Sequence, residues 1–138
     1  MNQSEKKKRL GRYHESMKRV AGIDMQIKEL RLMEIPGALR ITDMPKGKSQ
    51  TDLSDYAARF DELDQQRMKE RTKMMQHKVD LILAINKVTD DQERKVLALF
   101  YLSDDPNPDV GDICKQMGYE RSKVFELRKA AINSIFAD

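Results

Sequence analysis

Two long stretches of this 138-residue chain repeat apolar residues every three or four positions, and a segment with two prolines and two glycines separates them. Side chains three and four apart share one face of an α-helix and cannot share one face of a strand. In the first stretch, about residues 4–34, the apolar set is Leu10, Tyr13, Met17, Val20, Ile23, Ile27 and Leu30. In the second, from Asp52 or Ser54 to about Val88, it is Leu53, Tyr56, Phe60, Leu63, Met74, Leu81 and Val88. Met68, Met75, Val79, Ile82 and Ile85 form an adjoining stripe there, and Arg67, Glu70 and His77 interrupt the main seam. At 1.5 Å per residue, a helix of about 35 residues is a rod of roughly 50 Å. Two such rods joined by one loop are expected to fold back as a long, antiparallel, coiled-coil-like hairpin.

Ile35-Pro36-Gly37 is expected to end the first rod, because proline removes a backbone donor and disfavours a helical residue before it. The connector then covers about 35–51. Within the first rod, Gly11 and Gly22 each cost about 1 kcal/mol relative to alanine, which weakens its first turns. Hydrophobic residues make up 39% of the chain and charged residues 36%, with a mean hydropathy of -0.73. That supply is thin for a sphere but sufficient for helices that bury a single stripe. The length allows one domain, or one small domain with an extension, and excludes large multidomain enzymes.

No stretch approaches the roughly 18 uninterrupted apolar residues of a membrane span, and the start lacks the apolar core of a secretion signal. The single cysteine, Cys114, rules out an intrachain disulfide and fits a reducing cytoplasm.

From residue 89 the pattern changes. Thr89-Asp90-Asp91-Gln92 is a helix start with Thr89 or Asp90 as N-cap. A dense apolar set follows (Val96, Leu97, Leu99, Phe100, Leu102), then a turn over Ser103 to Pro108. Asp109 to Met117 reads as a short helix with Val110, Ile113, Cys114 and Met117 inward. Gly118 supplies the left-handed residue that a helix C-terminus favours. A last helix begins near Arg121 and runs to about Phe136, with Val124, Leu127, Ala131 and Ile135 inward. Short helix, glycine turn and second helix form a helix-turn-helix pattern. The expected fold is therefore all-α: a helical hairpin over 1–88, then a three-helix helix-turn-helix module over 89–138.

Stepping 100° per residue from Val124 puts Ser122, Glu126, Lys129 and Asn133 on the opposite, outer flank, with Phe125 at its edge. Arg121 stands at the N-terminal end, and Arg128 flanks the inner stripe. Such a helix can set its first residues against base edges while arginine and lysine hold phosphates. Charge distribution permits this partner. The net charge is only +3, but residues 1–20 hold seven Lys/Arg against two Glu, with Lys6-Lys7-Lys8-Arg9 consecutive. Residues 90–112 are acidic, and 113–138 return to a basic balance.

Other chemistry is poorly served. His14, His77 and Cys114 are too scattered for metal-ligand spacing. Asp104, Asp105, Asp109 and Asp112 lack the register and central glycine of a calcium loop. There is no Walker loop, no dinucleotide glycine set and no Ser/His/Asp grouping. The expectation is a non-enzyme with no cofactor and no metal.

The residues Asp91-x2-Arg94-x-Val96-Leu97-x-Leu99-x-Tyr101, then Asp112-Ile113-Cys114-x2-Met117-Gly118-x5-Val124, then Ala130 resemble the fourth region of bacterial sigma factors. The whole chain is similar to small phage proteins of the RinA-like and ArpU-like late-transcription regulator group. Those combine an N-terminal helical hairpin, a loop carrying Met-Pro-Lys-Gly (here Met44 to Gly47) and a sigma-like C-terminal module. Two positions depart from that pattern: Glu120 stands where the group has a Ser or Thr N-cap, and Pro108-Asp109 replaces a Trp or Ser.

The resemblance implies that Arg121, Ser122, Phe125 and Glu126 face bases, and that Lys123, Arg128 and Lys129 contact the backbone. It also implies a phage or prophage transcription regulator in the cytoplasm of a bacterial host. Such a protein would bind double-stranded DNA as a homo-oligomer, a dimer first, with RNA polymerase a further partner. Two alternatives remain open: a small terminase subunit in DNA packaging, and a helical adaptor that binds no DNA.

Overall fold

The computed structural model describes the backbone of residues 1–39 and 49–137 and the side chains of residues 1–32 and 54–137. Among these residues the protein is all-helical, with no strand. Helix α1 spans Gln3–Leu10 and is capped by Asn2, whose side-chain oxygen accepts from the Glu5 N–H at 2.8 Å. Gly11 barely interrupts it. The Gly11 N–H donates to the Lys7 carbonyl and the Glu15 N–H to the Gly11 carbonyl, so the chain continues in a helical sense into α2, Arg12–Leu39.

Helix α2 thus runs past Ile35 and Pro36, where the sequence predicts its end. Proline's fixed φ is itself helical, so running through forfeits one hydrogen bond and some steric ease, at about 3 kcal/mol, without forbidding the helix. Helix α3 spans Ser49–Asn86 and starts ahead of the expected Asp52. The rest of the expected connector, including Met44 to Gly47, lies outside the described residues, as does the side chain of Leu53. After α3 come α4 (Asp91–Leu97), which widens into a π-helical turn over Ala98–Leu102, then α5 (Val110–Met117) and α6 (Arg121–Ser134).

The described chain forms two compact units: Met1–Lys18 with Lys73–Asp138, and Arg19–Thr72. The first unit draws its boundary elsewhere than the change of pattern at residue 89. Leu10, Tyr13, Leu81, Ile85 and Val88 are buried in one core with Val96, Leu97, Val124, Ile132 and Ile135. Burying an aliphatic side chain of this size contributes about 1.5–3 kcal/mol, whereas an exposed ion pair contributes under about 1 kcal/mol. Apolar convergence therefore sets the boundary. Asp90 caps α4, accepting from the N–H groups of Gln92 and Glu93. Phe100 and Tyr101, both on the π-helical turn, are buried in the same core as Val96 and Leu97.

In the second unit, α2 and α3 pair antiparallel along one seam. The Arg67 guanidinium donates to Asp24 at 3.3 Å, the Tyr56 hydroxyl donates to the Leu30 carbonyl, and Arg31 lies 5.5 Å over the Phe60 ring. Val20 and Ile27 are buried, while Ile23, Leu30, Phe60 and Leu63 are half-buried. Arg67, which breaks the apolar seam in sequence, is bracketed by Asp64 and Asp24. Its hydrogen bonds to Asp64 first, then to Asp24, raise its pKa further above an already high value, so it remains charged.

Candidate nucleic-acid interface

Helix α5 begins at Asp109, whose carboxylate accepts from the Gly111 N–H at 3.0 Å. It ends at Gly118, which takes φ +75° while its N–H donates to the Cys114 carbonyl at 2.8 Å. A side chain at that φ would be strained, so the sharp reversal into α6 depends on this glycine. Glu120 precedes α6 and makes no capping bond with its side chain. The inner stripe of α6 is Val124, Ala131 and Ile132, continued by Ile135, all buried, with Leu127 half-buried. Ile113 and Met117 of α5 enter the same core. Ile132 is the one inward residue that the spacing argument leaves out.

From Arg121 to Lys129 the outer flank of α6 is open within its unit, and only its far end, at Asn133, meets α1. Arg121, Ser122, Lys123, Phe125, Glu126 and Lys129 are all exposed. Arg128 is not among them. It is half-buried, its Nε and Nη2 donate to the Tyr101 hydroxyl at 3.1 and 2.9 Å, and its guanidinium stacks 4.6 Å from the Phe100 centroid. These interactions make Arg128 a clamp between α6 and the π-helical turn.

The stacking continues outward. Phe125 lies 6.5 Å from Phe100, and the Arg121 guanidinium lies 5.7 Å over Phe125. Phe125 keeps 38% of its surface exposed. Contacts of this kind contribute about 0.5–1 kcal/mol each at exposed sites, and they also hold Arg121 and Phe125 in position. The sequence signal for this clamp was a tyrosine inside an apolar run, since a buried hydroxyl needs a partner, and an arginine beside an inner stripe can supply one. Arg128 also lines an open groove of about 480 Å³, with His14, Lys18, Tyr101, Pro106 and Val110 among others.

Helix α1 docks on the last turn of α6. The Gln3 side chain donates to the Asn133 side chain, Lys6 Nζ donates to the Asn133 carbonyl at 2.8 Å, and Arg9 stacks 4.2 Å from the Phe136 ring. Helix α6 has no basic residue in its own last turn, so Lys6 supplies the cation that its carbonyl end attracts. The basic run at residues 6–9 is thus part of a docked helix, a placement that no local sequence rule gives.

Elsewhere in the first unit, α3 presents Met75, Val79 and Leu83 to solvent, each at least half exposed. Ile85, placed in the same stripe by sequence, is buried instead. His14 is buried, with Nε2 2.8 Å from the Ser103 carbonyl, and His77 and Cys114 are half-buried. Among the described residues no group of three His, Cys, Asp or Glu side chains could hold a metal ion, and no helix is long and apolar enough to cross a membrane. Compared with known proteins, no family profile, no curated protein and no solved structure matches this chain.

Proposed function

We propose that the protein is a DNA-binding transcription regulator of phage or prophage type that works in the cytoplasm of a bacterial host and sets α6 in the major groove. The single observation that carries this reading is the asymmetry of α6. One flank is locked into the core, and the other presents Arg121, Ser122, Lys123, Phe125, Glu126 and Lys129 without cover from its own unit. An α-helix fits the roughly 12 Å width of the major groove. Arg121 and Ser122, on the first turn, are the residues that reach base edges, and Phe125, held by Phe100, offers an apolar contact to a thymine methyl. Lys123 and Lys129 contact phosphates. The sigma-like pattern of residues 91–130 supports the same assignment. In this reading the architecture is a helical hairpin followed by a three-helix helix-turn-helix module.

A single module of this size buries too little surface for tight specific binding, so a homodimer on a two-fold site is part of the proposal, with RNA polymerase as a further partner. The exposed Met75, Val79 and Leu83 face of α3 favours self-association, which a small terminase subunit would also need. Mass photometry separates the two: a dimer supports the regulator, and a ring of eight or more subunits supports packaging.

The direct test is fluorescence anisotropy on promoter-derived duplexes across a salt series. Arg121→Ala is expected to weaken the preferred sequence by about 1–3 kcal/mol and relax preference at one position. Lys129→Ala is expected to weaken all sequences alike and reduce the salt slope by about 1. No binding by the parent protein at about 50 mM salt, where nonspecific association is easiest to see, would leave the adaptor reading instead.

A further inference from the structure

We infer that α1 is a second DNA-contacting element, which grips the phosphate backbone at the rim of the groove that α6 enters. The inference rests on the DNA-binding reading above and adds a named surface to it. Residues 3–12 hold five Lys/Arg against one Glu, a net charge of +4 within a single docked helix and its first flanking turn. Two of these cations are committed to the protein: Lys6 to the Asn133 carbonyl and Arg9 to the Phe136 ring. The side chains of Lys7, Lys8 and Arg12 are exposed and make no hydrogen bond or ion pair with the described residues. Lys8 and Arg12 are four apart and repel each other by a few tenths of a kcal/mol. A polyanion would relieve that repulsion.

Geometry places this charge at the phosphates. Helix α6 has 14 residues and is about 21 Å long, nearly twice the width of the major groove. If its N-terminal turns reach the bases, its last turn lies near the rim, where the sugar-phosphate strand runs. Asn133, on that last turn, shares the outer flank with Ser122, Glu126 and Lys129, and it is Asn133 that α1 contacts through Gln3 and Lys6. Stepping about 100° per residue puts Lys8 and Arg12 on the face of α1 turned away from Leu10, with Lys7 to one side, so docking on Asn133 leaves an outward basic face next to the flank of α6 that would meet the duplex backbone. Leu10, fully buried in the core, anchors α1 there.

The test compares the full chain with its Lys7→Ala/Lys8→Ala/Arg12→Ala variant by anisotropy, from about 50 to 200 mM salt, on a promoter duplex and on a scrambled one. Each lost phosphate contact lowers the slope of log affinity against log salt by about 0.9, so three contacts reduce it by up to about 2.7. The loss is expected to be equal on both duplexes. All three side chains are exposed, so the thermal midpoint should stay at the parent value. Should the triple variant melt early, Lys7→Gln with Lys8→Gln is the milder form, with an expected reduction of about 1.8. A slope equal to the parent's, with Arg121→Ala still weakening the preferred site, would overturn the α1 contact and leave the regulator reading standing. A parent protein that binds neither duplex would overturn both.

Discussion

The two compact units use the same kinds of residue and reach different kinds of order. In the first, side chains from α1, the start of α2, the end of α3, α4, α5 and α6 converge, so Leu10, Val96, Leu97, Val124, Ile132 and Ile135 lose nearly all contact with solvent. In the second, two helices share one seam: Val20 and Ile27 are buried, and Met25, Leu32 and Met68 remain more than half exposed. A helix pair can cover only one stripe on each partner, and so the second unit also relies on Arg67 with Asp24 and Asp64 and on Tyr56 with the Leu30 carbonyl. An apolar repeat of the same period thus yields a closed core only where a third element crosses it.

The largest expected effect tests this contrast directly. Leu97→Ala, at a fully buried position of the first unit, is expected to cost about 2–5 kcal/mol in chemical denaturation, since both transfer energy and a cavity are at stake. Met68→Ala, on the second unit's open surface, is expected to stay within about 0.5 kcal/mol. Equal costs would mean that Met68 is covered in solution, by a second copy or a partner, and would break the comparison.

Gly118→Ala comes next. No neighbouring atom lies within 4 Å of the position a Cβ would take, so the expected loss of about 1–2 kcal/mol is purely the strain of a side chain at φ +75°. A thermal midpoint unchanged from the parent's would show that the turn into α6 adopts another conformation. This glycine, with the cap Asp90, was legible in the sequence because each acts on a backbone group within a few residues. So were the inward positions Val124, Ala131 and Ile135, which follow from helical period alone. The docking of α1 was not legible: Lys6 meets Asn133 across most of the chain length, and nothing local specifies that partner. The partner of Arg128 was not legible for a related reason. Periodicity puts it beside the inner stripe, where it lies, but its bonds to the Tyr101 hydroxyl join residues 27 apart in the chain. The run of α2 beyond Pro36 shows the converse, a local rule overridden by the helix around it.

A smaller effect sharpens the account of the second unit. Tyr56→Phe keeps the ring and deletes the hydroxyl that donates to the Leu30 carbonyl, a change worth about 1 kcal/mol. With few buried side chains to share the load, the loss should appear locally, as faster amide exchange in α2 near Leu30. Amides of α4 and α6 in the first unit should keep their protection. Faster exchange spread equally over both would mean that the units open together rather than separately.

The finest discrimination lies at the head of α6, where two small effects oppose each other. Glu120 forms no side-chain capping bond, so Glu120→Ser offers α6 a hydroxyl cap worth about 1 kcal/mol. The same change removes a negative charge from a helix N-terminus, which costs about 0.3–1 kcal/mol at an exposed site. Stability should therefore move by well under 1 kcal/mol in a thermal melt. Binding should move further, because only one effect operates there. Without the carboxylate beside Arg121 and Lys123, a duplex meets less repulsion, and affinity in anisotropy at about 50 mM salt should rise, with the gain shrinking as salt screens it. Tighter binding with an unchanged melt would place Glu120 at the DNA surface. A change in the melt with unchanged binding would place it in the fold alone and move the contact surface away from the first turn of α6.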